Sequence, residues 1–347
     1  MVPGKVRYLL IAVLLFVDMG CSKPPVNTLD REGPSLVWPA PPDVARIEYL
    51  SSISKPDDLG IAPSFFKKVV RVLTGKKTSQ HIVRPSGIFV TREEILYVAD
   101  PGMSTVHVFN LRDHRYDQIK KFGKEHLVSP IDVAVDHQDN LYISDSILRK
   151  IFVFNGNGKP EREIGGADRL SRPAGIAIHP LLKRLYVVDS NAHVIQVFDL
   201  LGNFLFSIGG RGVEPGAFNF PTFMSIDQNG LLYVTDSLNF RVQVFNPDGE
   251  FLYLFGKQGD GVGEFSHPKG IALDRAGNIY VTDAIFDAIQ IFDKAGSLLL
   301  YLGEAGQEPG QFWIPNALYI DHTNRIFVSD SYNQRVQIFR FLGGGER

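Results

Sequence analysis

Four short apolar runs divide residues 221–256, which read PTFMSIDQNGLLYVTDSLNFRVQVFNPDGEFLYLFG. The first, TFMSID, ends at Gln228-Asn229-Gly230, and Asn-Gly between apolar runs is a strong hairpin signal. The second, LLYVTD, is β-branched and aromatic; the third, RVQVF, alternates polar and apolar positions. A second turn, Asn246-Pro247-Asp248-Gly249, leads into FLYLFG. This patterning predicts four antiparallel strands in a meander.

The same unit recurs along the chain. Prolines fall at 85, 130, 173, 221, 268 and 315, at spacings of 45, 43, 48, 47 and 47 residues. An Asp closes the second run at 100, 145, 189, 236, 283 and 330, and a Phe lies nine residues beyond each of them. A sheet of this size buries both faces only against its neighbours, which points to radial stacking. The predicted fold is therefore all-β: a six-bladed β-propeller of four-stranded antiparallel blades. A parallel β-helix is the rival, and the hairpin turns argue against it.

The last unit has room for three strands after Pro315. The strand-like ARIEYLSSIS, residues 45–54, is the natural fourth. Residues 44–347 thus form the expected propeller, with 44–54 as its closing strand and 84–347 as its repeats. Residues 63–75, PSFFKKVVRVLTG, carry apolar positions at helical spacing between Ser64 and Gly75, predicting one short N-terminal helix. Its basic face either stays solvated or meets anionic lipid or a partner.

A net charge of -2 and a pI near 6.5 give no basic footprint for nucleic acid. The single cysteine, Cys21, excludes an internal disulfide and any multi-cysteine metal site. Lys5 and Arg7 precede an apolar run, Tyr8 to Val17, too short to span a bilayer but typical of a secretory leader. The run ends close to Gly20-Cys21 and so resembles a bacterial lipoprotein signal, with Cys21 as the lipidated residue and Asp18 where that pattern usually has Leu. Residues 1–20 are then a signal peptide and 21–43 a proline-rich tether. This implies the cell envelope, on the outer membrane or in the periplasm, with membrane attachment through lipid.

The runs DSLNFRVQVF (236–245) and DSYNQRVQIF (330–339), together with PGAF, VGEF and PGQF before the later prolines, resemble the NHL repeat. That resemblance implies a six-bladed propeller. The proline-rich lead, the RIEYL strand and the helix are similar to a group of bacterial secreted NHL-repeat lipoproteins. Similarity to members encoded beside multihaem cytochromes implies a role around redox complexes. Blades one to three depart from the Asn-x-Arg pattern at Ser104-Thr105, Arg149-Lys150 and His193-Val194.

Strand parity places the d–a and b–c loops on one face. The b–c tips carry Met103, Ile147, Leu148, Leu238, Phe240, Ile285, Phe286 and Tyr332. Of these, Met103, Leu148, Leu238, Phe240, Phe286 and Tyr332 are the candidate partner-binding positions, since contiguous apolar loop tips mark interaction sites. The alternative is that they pack on d–a residues such as Phe218, Phe265 and Phe312. Asp132, Phe223, His267, Lys269 and Asn316 are expected to line the channel, with Arg84 and Arg172 just before their prolines. The six repeated Asp residues read as turn architecture, with Arg241, Arg335 and Lys150, five residues after theirs, placed to pair with them or with a neighbouring blade.

No catalytic set, metal site or cofactor is readable. The function expected is a monomeric, non-catalytic scaffold that docks a protein partner on the loop-rich face. The alternatives are a metal-dependent lyase or hydrolase acting in the channel, and a sensor holding a small ligand there.

Overall fold

The computed structural model describes residues 36–61 and 80–343. The leader, Cys21, the first part of the tether and the 63–75 helix lie outside the described residues. Among those described there is no α-helix, only short 3-10 turns at Pro56–Leu59 and Ser237–Asn239.

Six antiparallel blades surround an axis. Their strands are lettered a to d outward. Blades one to five span residues 88–119, 130–165, 173–209, 221–255 and 268–302. Blade six takes strands a to c from Pro315–Ile320, Arg325–Asp330 and Arg335–Phe341. Its outer strand is Ile47–Ile53, antiparallel to strand c with Ile47 opposite Phe341 and Ile53 opposite Val336. Ile47 and Ile53 are fully buried by this pairing. A fifth strand, Val37–Trp38, lies outside it. The sequence reading missed that strand because proline-rich composition masks two residues of pairing.

The core lies between blades. Tyr186 and Val188 of blade three pack with Leu232 and Phe245 of blade four. Ile47 and Tyr49 join a cluster with Tyr280, Ile291 and Phe339. The registered Phe residues 109, 198, 245, 292 and 339 are at most 1% exposed, which explains their fixed offset.

Turn chemistry is uniform and differs from the Asn-Gly expectation in one respect. At the a–b turn of blade four only Gly230 has positive φ, while Asn229 does not. The Asp227 carboxylate accepts the N–H groups of Asn229 (2.9 Å) and Leu231 (2.8 Å). An Asx turn therefore builds the corner, and Gly230 supplies the left-handed step. Asp136, Asp199, Asn246 and Asp293 make equivalent turns.

Hydroxyls latch one blade to the next. Ser144 donates to the Ala174 carbonyl (2.7 Å), and Thr235 and Ser329 donate to the Lys269 and Ser86 carbonyls. One residue beyond the repeated Asp, Ser190, Ser237 and Ser331 donate to the carbonyls of Pro221, Pro268 and Pro85. The last of these joins blade six to blade one.

Candidate axial vestibule and loop-rich face

Each repeated Asp ties a b–c corner to the incoming d–a loop. Asp100 accepts the Val83 and Arg84 N–H groups, Asp189 those of Ser171 and Arg172, and Asp283 those of Ser266 and His267. In blade four Arg241 bonds to Asp236 at 2.9 Å and donates to the loop carbonyls of Val213, Glu214 and Ala217. Arg335 does the same from Asp330 in blade six. His107 takes that place in blade one, 3.1 Å from Asp100. Although Asp100 is buried, this histidine and two backbone donors hold its carboxyl below the usual range. Lys150 departs from the pattern: it pairs with Glu125 and Glu163.

These Asp clamps also position the axis. The residue after each proline, and the residue before it in blades one to five, face a vestibule of about 460 Å³ on the loop-rich side. The post-proline ring is Ser86, Ile131, Ala174, Thr222, Lys269 and Asn316, and all six line it. From the pre-proline ring come Arg84, Ser129, Arg172, Phe220 and His267.

Phe223, His267, Lys269 and Asn316 are thus brought together as expected channel residues. Asp132 is not. It lies two residues after its proline, one out of register, and Ile131 holds the ring position. Asp132 instead lines a smaller cavity of about 170 Å³ toward the opposite face. Phe223 lines both spaces and divides them.

The next ring inward alternates in size: Gly87, Asp132, Gly175, Phe223, Gly270, Ala317. A Cβ at Gly87 would fall 2.4 Å from the Asp132 Cα, and one at Gly175 would fall 2.7 Å from the Phe223 Cα. Glycine in alternate blades lets the neighbouring strand a approach, and the larger residues fill the axis.

The vestibule charge has one sign. Arg84, Arg172 and Lys269 line it with His267, and no acidic residue does. The Lys269 ammonium is pushed below its ordinary pKa by burial and by the Arg172 charge. Burial and then Lys269 likewise lower the His267 imidazole, against a smaller opposing effect of Asp283. Sequence reasoning placed these residues together near the channel but did not read their charge as a set. The missed signal was their alternation, basic before proline in blades one, three and five, and Ser, Phe or Ile in the others.

The loop tips divide into two groups. Leu238 and Tyr332 are 40% and 50% exposed. Met103, Leu148, Phe240 and Phe286 are only half-buried; Leu148 packs on the blade-two core and Phe240 on the blade-four core. Phe218, Phe265 and Phe312 are fully buried. Ile147 and Ile285 project further than the half-buried group, at 63% and 64% exposure. Trp313, which sequence reading passed over, packs at a tilt against Tyr332 with centroids 5.5 Å apart. Its signal was a large aromatic beside a registered buried Phe.

The described geometry defines a six-bladed β-propeller with one loop-rich, cation-lined face. A family model described as a 6-bladed beta-propeller matches residues 227–289, and the NHL-repeat model matches residues 312–339. An NHL repeat thus lies at residues 312–339 of this six-bladed propeller. No curated protein is significantly similar to it.

Solved structures share the fold at low identity. Virginiamycin B lyase from Staphylococcus aureus superposes with TM-score 0.56 at 13% identity, covering 75% of this chain and 96% of the lyase. A gluconolactonase from Xanthomonas campestris gives 0.59 at 16%, covering 75% and 86%. An auxiliary nutrient binding protein from Bacteroides thetaiotaomicron gives 0.59 at 14%, covering 76% and 71%. Enzymes and a binding protein alike are built on this scaffold, so the fold alone does not choose among chemistries.

Proposed function

We propose that the protein is a non-catalytic docking module of the bacterial cell envelope, held by lipid at Cys21, which binds a protein partner through its loop-rich face. The observation that carries this reading is the exposed apolar rim formed by Ile147, Leu238, Ile285, Trp313 and Tyr332 around a polar vestibule. Apolar tips left in water around a polar centre are the composition of a docking surface. Each tip is fixed from behind: the Leu238, Ala284 and Tyr332 N–H groups bond to carbonyls of adjoining d–a loops. Such a surface meets a partner with little ordering cost. Similarity to lipoproteins encoded beside cytochromes makes redox complexes the first partners to test.

The lyase and lactonase neighbours keep an enzyme reading in view. The vestibule charge weighs against a metal-dependent form, because unpaired guanidinium and ammonium groups repel a divalent cation. Affinity capture from the native membrane fraction is the test. The wild-type chain should retain a defined partner, and the Leu238→Asp/Ile285→Asp double variant should lose it while keeping the wild-type circular dichroism and melting temperature. Equal capture by both proteins would overturn docking by this face.

A further inference from the structure

We propose that the axial vestibule is a binding site for a small organic anion whose carboxylate or phosphate oxygens are received by Arg84, Arg172 and Lys269. This inference goes beyond docking on the rim and does not depend on it.

The argument begins with what these cations lack. None of the Arg84, Arg172 and Lys269 side chains forms a hydrogen bond or ion pair within the described residues. Elsewhere Arg241 and Arg335 each bond one carboxylate and three carbonyls, and Arg325 bridges Glu94 and Asp321, whereas Arg84 and Arg172 stay open to solvent at the vestibule. The fold therefore pairs its cations where they serve structure. At the axis it leaves three unpaired in one cavity and holds Lys269 partly out of water beside Arg172. Keeping like charges together without a counter-ion is unfavourable, and the arrangement is explained if the counter-ion is the ligand.

The backbone positions that carry two of these cations are fixed. The Arg84 and Arg172 backbones are clamped by Asp100 and Asp189, at 3.0 and 2.7 Å. Two hydroxyls complete the donor set. Ser86 accepts from Asn316 and Ser129 accepts from Ser146, so each keeps its own proton for a ligand. Ile131, Phe220 and Phe223 line the same space and offer an apolar wall to the ligand's carbon skeleton. Guanidinium forks, an ammonium and hydroxyls around one cavity suit carboxylate and phosphate oxygens, and the volume falls in the range of small-molecule sites.

The test is calorimetric titration of the purified chain with citrate and with phenyl phosphate at low ionic strength, with chloride at matched ionic strength as control. Saturable one-site binding of either anion, weakened about tenfold or more by Lys269→Met and by Arg172→Gln, supports the site and tells carboxylate from phosphate. Lys269→Met should also raise the melting temperature of the ligand-free protein, because it removes an unpaired, half-desolvated charge. If Arg172→Gln folds poorly, Arg84→Gln gives the same readout from another blade. No saturable binding to the wild type, or binding untouched by these substitutions, overturns the proposal. An Ile285→Ser/Tyr332→Ser variant, uncharged and altered only at rim positions outside the vestibule lining, keeps the anion titration unchanged while weakening partner capture, which separates failure of this site from failure of rim docking.

Discussion

Asp132 shows how much one residue of register decides. Its carboxylate is buried at the axis and accepts N–H groups from Val133 at 2.9 Å and, across the blade boundary, from Ile176 at 2.8 Å. Burial outweighs these donors and pushes its pKa up to about 7. A carboxyl in the unfolded chain titrates near 3.9. The folded state thus binds this proton more tightly, so the stabilising effect of protonation is full below about pH 4 and fades as pH rises through about 7. Asp132→Asn removes that titration. Relative to wild type, the variant should gain on the order of 1–3 kcal/mol in denaturant unfolding between pH 5 and pH 8, and a difference independent of pH would refute the assignment. At the same ring, Gly175→Ala should cost roughly 1–3 kcal/mol through overpacking, because its Cβ meets the Phe223 backbone; an unchanged denaturation midpoint would contradict the close approach. The repeated Asp and Phe were legible because a nine-residue offset survives any loop insertion. The ring of alternating size was not, since it exists only between blades.

Among elements, the strands and their order followed from period and patterning, and the turns followed in position though not in type. Hairpin corners here are set by an Asx side chain, a choice that Asn-Gly alone does not reveal. The latches between blades lay in plain view as Ser or Thr beside five of the six repeated Asp residues, Asp100 being the exception. Their acceptors, carbonyls some 30 residues on, required the closed ring. Closure itself rests on Ile47–Ile53 against strand c of blade six. Ile53 is fully buried in a cluster with Leu96, Phe109 and Val336, so this one strand seals blade six against blade one. Ile53→Ala should cost about 2–5 kcal/mol, read as a lowered melting temperature. A variant melting with the wild type would mean that the strand does not hold the ring.

For the whole molecule, the point where the tether joins bears on which face stays free. Val37–Trp38 adds to the outer edge of blade six, where Trp38 packs edge-on against Phe339 at 5.7 Å. The tether therefore meets the propeller at its rim, away from the vestibule mouth. Under the proposed lipid anchoring at Cys21, the 15 residues to Leu36 could span at most about 50 Å when fully extended, enough to hold the propeller beside a membrane. Such an anchor, as proposed, would act by raising local concentration near membrane-surface partners rather than by direct contact. Cys21→Ser should move the protein from the membrane fraction to the soluble fraction while leaving citrate or phenyl phosphate titration as in the wild type. Retention on membranes would assign anchoring to the leader's apolar run. Loss of anion binding on release would tie the vestibule to the membrane, contrary to a site built wholly from blade residues.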